Sequence, residues 1–326
     1  MKNFTLSNIL FFLLIAVCMT ACDSPGPSQK EKTVDRSLIK VPDFQADSAY
    51  AYIEKQLSFG PRVPNTQAHA ACAEWLQDKF QSLGAKVKVQ TGVVEAYDGT
   101  LLNIYNIIAS YNPDRAKRIM LSAHWDTRPI ADQDPDPTKQ SQPIPGANDG
   151  GSGVAVLLEI GRLIGQDDSL NLGVDIFLWD AEDYGKSEVR DSYCLGTQYW
   201  ARNRLNPNYA PLYGINLDMV GGKNARFTME GGSMSYAPGV MKKVWKIGAQ
   251  LGYQTYFSTI RTDAIIDDHY YVNELTDISM IDIIDRQSGQ SFFGQWHTHQ
   301  DDIHVISKET LKAVGQTVLT TMYYEP

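Results

Sequence analysis

Between residues 174 and 179 the chain reads Val-Asp-Ile-Phe-Leu-Trp. A strand with apolar side chains on both of its faces needs cover on both sides, which points to a sheet sandwiched between helices. The surrounding sequence supplies that cover. Helical spacing is predicted over residues 47–59 and 66–83, where Cys72, Leu76, Phe80 and Leu83 recur on one face and Gly84 ends the run. Strands are predicted over 86–94, where Val87 and Val89 alternate with polar residues, and over the apolar segments 103–110 and 118–123. A loop of residues 125–147 with five prolines comes next, and loops of that length are usually functional or lid-like. Helix 152–164, strand 174–179, helix 196–204, strands 213–217 and 226–229, helix 240–251, strand 278–284 and helix 308–322 complete the alternation. Strands alternating with helices define an α/β class. The expectation is a single globular domain over residues 41–326, with a mixed, mostly parallel central sheet and helices on both faces.

The 326 residues are 43% hydrophobic and 21% charged, as in a globular chain. Twenty-nine basic against 38 acidic residues give a net charge of −9, which argues against nucleic acid as a partner. No stretch repeats, which excludes solenoids and propellers. The N-terminus differs in kind. Lys2, the apolar run at 9–17 and the sequence Thr20-Ala21-Cys22 resemble a bacterial lipoprotein signal. The expectation is a signal peptide over 1–21, cleavage before Cys22, lipid on Cys22 and a flexible tether over 22–40. The chain would then be exported and anchored to a bacterial membrane, facing the periplasm or the cell surface. Cys72 and Cys194 remain, either paired or as two separate buried thiols.

Five polar clusters fall where ligands are expected. His124-Trp125-Asp126, Glu182-Asp183, Asp218 and the Trp296-His297-Thr298-His299 segment follow predicted strands or lie in the loop after one, and Asn148-Asp149-Gly150-Gly151 opens a helix. In open α/β sheets the ligand crevice lies beyond the carboxyl ends of the strands. Carboxylates mixed with imidazoles suit zinc, and a catalytic zinc keeps three protein ligands and one open position. Singly, each cluster has an ordinary reading. Asp149 could cap its helix, Glu182-Asp183 could be a solvated pair, Asp218 a turn residue, and His124 and His297 satisfied histidines. Their common placement at strand ends argues for one site. Spacing leaves His297 and His299 both open as the ligand.

As a set these residues resemble the zinc exopeptidase superfamily, which contains bacterial aminopeptidases and glutaminyl cyclases of the animal and bacteroidete type. The likeness runs from about Asp47 to the C-terminus. It rests on His124-Trp-Asp126, Pro145-Gly-Ala-Asn-Asp149-Gly-Gly-Ser-Gly153, Phe177-Leu-Trp-Asp-Ala-Glu182-Asp183, Asn216-Leu-Asp218-Met-Val-Gly221 and Trp296-His297-Thr298 with Asp301-Asp302 behind. Two-zinc aminopeptidases would use His124, Asp149, Asp183, Asp218 and His297. The cyclase branch implies one zinc on Asp149, Asp183 and His297, with His124 left at a second-metal position. Trp296 before the histidine and the acidic segment Asp267-Asp268-His269 favour the cyclase; their ordinary readings are a packed core tryptophan and a helix-initiating acidic pair. The branch implies peptide or protein substrates with N-terminal glutamine, converted to pyroglutamate with loss of ammonia. Glu182 would carry the proton, Asp218 and Asp267 would hydrogen-bond each other or the leaving amide, and Trp296 would pack on the glutamine chain. Two departures stand out: Asp183 occupies a position where animal cyclases have Glu, and residues 184–193 lack a further tryptophan found in those enzymes.

Overall fold

Strand β4 (Gly173–Trp179) is wholly buried. Its alternation divides the core in two. Val174, Ile176 and Leu178 face one apolar cluster, while Phe177 and Trp179 face a second one built with Trp200, Val272 and Met280. Burying one such side chain is worth about 1.5–3 kcal/mol. The polar member of the run, Asp175, pairs with Arg118 at 2.6 Å.

The computed structural model describes residues 39–286 and 291–325. The expected signal segment and nearly all of the tether lie outside them. The described residues fold into one α/β domain around a six-stranded sheet of order β1-β2-β4-β3-β5-β8. Its strands are β1 (Lys86–Glu95), β2 (Leu101–Tyr111), β3 (Arg118–His124), β4, β5 (Gly214–Asp218) and β8 (Met280–Ile284). The β1–β2 and β2–β4 pairings are antiparallel; β4, β3, β5 and β8 run parallel. The first cluster gathers residues of α1 (Ala46–Leu57), α2 (Gln67–Ser82), α3 (Gly151–Ile164), α6 (Pro238–Gln250) and α8 (Lys308–Tyr323). The other face takes α4 (Leu195–Arg202) and α7 (Asp268–Leu275).

The differences from expectation are local. The strand expected at 226–229 is β6 (Phe227–Met229), which leaves the central sheet and pairs with an unexpected β7 (Phe257–Arg261). Helix α5 (Gly231–Tyr236) was also unexpected, and α7 was foreshadowed only by the helix-initiating reading of Asp267-Asp268. Both helices are short, and α5 is started by Glu230, whose carboxylate accepts from the Gly232 and Ser233 N–H groups rather than by an apolar period. Cys72 and Cys194 are free and buried, so of the two readings the separate thiols hold.

Helix α3 lies directly on the sheet at Gly153. A Cβ there would stand 2.3 Å from the Leu217 carbonyl oxygen and 2.8 Å from the Ala123 Cβ. Backbone at that distance cannot yield, so this approach fixes the start of α3 over the ends of β3 and β5. Gly153→Ala is expected to cost about 1–3 kcal/mol through overpacking and to lower Tm by roughly 3–10 °C. Differential scanning calorimetry checks this, and an unchanged Tm would refute the close packing.

Candidate metal-binding active site

The parallel strands end on, or lead into, the polar residues expected to form the site. His124 is the last residue of β3 and Asp218 the last of β5; Glu182 and Asp183 follow the end of β4, and Asp149 precedes α3. Asp149 does not cap that helix. The cap position is Gly150, in the left-handed region at φ +81°. A side chain there would meet the Asp126 carbonyl oxygen at 2.4 Å and the His124 ring at 3.1 Å, so glycine lets the helix start reach the histidine.

Asp149 faces two ways. Its Oδ1 lies 3.1 Å from His124 Nε2, and that nitrogen is 3.2 Å from Asp218 Oδ1. Its Oδ2 lies 3.7 Å from His297 Nε2, which is 3.3 Å from Asp183 Oδ1. Two triads of buried donor atoms, His124–Asp149–Asp218 and Asp149–Asp183–His297, therefore share one carboxylate. Asp183 Oδ2 is buried without a hydrogen bond, as a metal-ligating oxygen would be before its cation arrives. Two carboxylates and an imidazole suit zinc. His299 stands apart, with its Nδ1 3.0 Å from Asp134.

Glu182 is held at three points. Its N–H donates to Asp126 (3.0 Å), its carbonyl accepts from the Cys194 N–H (2.8 Å), and its Oε1 accepts from the Cys194 thiol (3.3 Å). The carboxylate is mostly buried, 13% exposed. Asp267 arrives from the start of α7, where its side chain accepts from the Asp268 N–H, so the helix-initiating reading of this acidic pair is also true. Glu182, Cys194 and Asp267 offer atoms within 4.8 Å of one another. Asp218 and Asp267 each have another hydrogen-bond partner. Asp218 accepts from His124, and Asp267 from Asn216 at 3.0 Å. Trp296 stacks on the His297 ring at 3.6 Å between centroids.

Burial shapes the acidity of the whole group. It raises the Glu182 pKa well above the usual carboxylate value, and Asp183, Asp267 and Asp268 add to the rise against the pull of His124. Crowding by other acids is thus a secondary cause. Burial also lifts Asp218 to about 7, opposed by His124. Burial alone would lower both histidines. Asp126, Asp149 and Asp218 outweigh it at His124, and Asp183 and Asp132 outweigh it at His297, which rises to about 9.

Residues given no role of their own from sequence hold this arrangement in place. Asp126 accepts from the N–H groups of Glu182 and Asp183 (3.0 and 3.2 Å). Asp301 does the same for Asn148 and Asp149 (2.8 and 3.0 Å). Arg62, fully buried, donates to the carbonyls of Trp125, Pro145 and Gly146. Asp126 and Asp301 sit inside the segments that carried the resemblance, and their spacing from His124 and His297 is the signal that marks them. Arg62 leaves no such mark.

The profile of peptidase family M28 matches residues 106–322. The chain belongs to peptidase family M28. Two curated relatives are an uncharacterised protein YfbL of Escherichia coli, 37% identical over 94 residues, and aminopeptidase YwaD of Bacillus subtilis, 25% identical over 318 residues. The matches cover 29% and 86% of this chain, and the chain spans 26% and 64% of the lengths of those relatives. Solved M28-like structures are nearer. A Zn-dependent exopeptidase from Parabacteroides distasonis is 51% identical, with a TM-score of 0.85 over 88% of this chain and 100% of that one. A Bacteroides thetaiotaomicron glutaminyl cyclase bound to N-acetylhistamine is 50% identical, with a TM-score of 0.85 over 88% and 100%. A leucine aminopeptidase precursor from the same species is 50% identical, with a TM-score of 0.85 over 89% and 100%.

The geometry separates the two candidate histidines of this M28 site. His297→Ala is expected to lose bound zinc and His299→Ala to keep it, as counted by atomic emission on purified protein. The reverse pattern would overturn the choice.

Proposed function

We propose that this M28 protein is a zinc-dependent glutaminyl-peptide cyclotransferase, converting N-terminal glutamine of peptides and proteins to pyroglutamate with release of ammonia. The reading is carried by the 50% identity, at a TM-score of 0.85, to a glutaminyl cyclase of Bacteroides thetaiotaomicron, together with Trp296 stacked on His297 and Asp267 beside Glu182. Hydrolysis and cyclisation both pass a proton from the attacking group to the departing nitrogen, and Glu182 is the group we assign to that transfer.

Asp149, Asp183 and His297 would hold one zinc, with His124 at the position of a second metal. Bound zinc would supply Lewis-acid polarisation of the side-chain amide carbonyl. The substrate's own α-amine is the nucleophile. A bond forms between that nitrogen and the amide carbon, the bond to the side-chain nitrogen breaks, and ammonia leaves. Because the attack is intramolecular, holding the chain in the right rotamer supplies a high effective molarity. Glu182 takes the amine proton and returns it to the leaving nitrogen. Burial raises the Glu182 pKa, which makes it a stronger base than an exposed carboxylate. Asp218, lifted to about 7, is positioned to share a proton with the leaving amide, together with Asp267. Trp296 offers its face as a wall for the glutamine methylenes.

Residues 1–21 read as a lipoprotein signal with lipid on Cys22. We infer that the enzyme, with its catalytic domain over residues 41–326, is tethered by residues 22–40 to a bacterial membrane and faces the periplasm or the cell surface.

The two-way Asp149 favours a second reading, a two-zinc aminopeptidase, because a carboxylate with one oxygen toward each triad can bridge two cations. One assay separates them. Ammonia release from a Gln-peptide, no leucine release from a Leu-peptide and one zinc per chain are expected; leucine release at two zincs would replace the proposal with the peptidase. Glu182→Gln is expected to fold and keep zinc while turnover falls about 10²-fold or more, and wild-type turnover in that variant would remove Glu182 from the mechanism.

A further inference from the structure

The proline-rich loop of residues 125–147 makes contacts that the proposed reaction does not use. Arg128 and Asp132 lie in it. Arg128 is buried, with its side chain 3% exposed, and grips Asp132 with two nitrogens: Nε donates to Oδ1 at 2.7 Å and Nη2 to Oδ2 at 3.1 Å. Its remaining nitrogen, Nη1, reaches across to the segment after β4. There it donates to Asp183 Oδ1 at 3.2 Å and to the carbonyls of Asp183 and Gly185 at 3.1 and 3.2 Å. Asp132 Oδ1 in turn lies 3.1 Å from His297 Nδ1.

The two nitrogens of His297 are thereby divided. Nε2 faces Asp183 and Asp149, and Nδ1 faces Asp132. A carboxylate at the outer nitrogen of a ligating histidine fixes its tautomer, aims the ring and raises its basicity. The backbone at His297 needs such support, since it sits in the left-handed region at φ +56°. The same loop supplies it, with the Gln133 N–H donating to the His297 carbonyl at 3.2 Å. The charges also match. Arg128 neutralises Asp132, so the ring is oriented without a further net negative charge beside the site. The same guanidinium touches Asp183, whose short side chain has only one methylene to set its position.

We propose that Arg128 and Asp132 form a clamp that positions two metal ligands at once, Asp132 acting on His297 and Arg128 on Asp183. They are positioning residues, and the loop of residues 125–147 is the strap that carries them. This rests on the reading of Asp149, Asp183 and His297 as zinc ligands. It makes zinc affinity, and not only turnover, depend on a loop outside the ligand set.

The test measures zinc affinity of apo-protein by competition with a chromogenic chelator, with Tm of each apo-protein recorded in parallel. Asp132 is partly exposed, 32%, and Arg128 keeps Asp183 and the carbonyls of Asp183 and Gly185 as partners when Asp132 is removed, so the fold should survive its loss. Asp132→Ala is expected to weaken zinc binding about 10–100-fold with an unchanged apo Tm. Asp132→Asn keeps an acceptor oxygen and is expected to fall between Ala and wild type. Arg128→Met is expected to weaken zinc binding also, and adding Asp132→Ala to it should cost less than the sum of the two separate losses, because the pair acts as one unit. Wild-type affinity in Asp132→Ala, or an affinity loss accompanied by an equal fall in apo Tm, would overturn the clamp. His297→Ala distinguishes the two levels. If it retains zinc, the ligand reading fails; if it loses zinc while Asp132→Ala keeps wild-type affinity, only the clamp fails.

Discussion

Carboxylates crowd one end of the sheet, with few positive groups among them. Asp149, Asp183, Asp218 and Asp267 are buried there and Glu182 is mostly so. The imidazoles of His124, His297 and His269 and the Arg128 guanidinium are the cations in direct ion-pair contact with members of this group among the described residues. In a medium of low dielectric such crowding is costly unless protons or cations offset it. The chain uses both. Protons are retained more firmly on Glu182 and Asp218, while Asp183 stays charged because His297 and Arg128 outweigh its burial. A divalent cation completes the balance, so metal binding and the electrostatic stability of this end of the sheet are one problem.

Geometry is held by hydrogen bonds to the main chain as much as by ion pairs. Asp126 and Asp301 each spread their two oxygens over two successive backbone N–H groups, those of Glu182 and Asp183 and those of Asn148 and Asp149 respectively. Hydrogen bonds between a carboxylate and backbone N–H are among the stronger ones. They fix main chain and leave the functional side chains free to face the cavity. Beside Glu182 stand the Cys194 thiol and Asp267, the latter delivered by the separate helix α7.

Much of this was readable from order along the chain. The apolar run of β4 predicted a doubly covered strand, and its residues divide between two clusters as alternation requires. The polar clusters lay where strands end, and the site assembles there. What periodicity could not reveal has a common cause. Helices α5 and α7 begin on side-chain caps at Glu230 and Asp267 and are too short to show a repeat. β7 pairs only with the three-residue β6 and is largely exposed. Arg62 acts through carbonyls far away in sequence, and Arg128 joins the nearby Asp132 to the distant Asp183 and Gly185, and no local pattern encodes the distant partners. Spacing left His297 and His299 equal; only the path of the loop, which pairs Asp134 with His299 and Asp132 with His297, distinguishes them.

The two free thiols have a consequence for how the domain is held together. Cys72 is pushed up to about 12 and Cys194 well above its usual value, chiefly by burial. Only the thiolate attacks disulfides or oxidants readily, so neither sulfur exchanges in the folded state. Among the described residues no covalent cross-link is needed to close the fold. The described domain therefore holds together without a disulfide, and its two thiols are sheltered by the fold from the redox state of the surrounding medium.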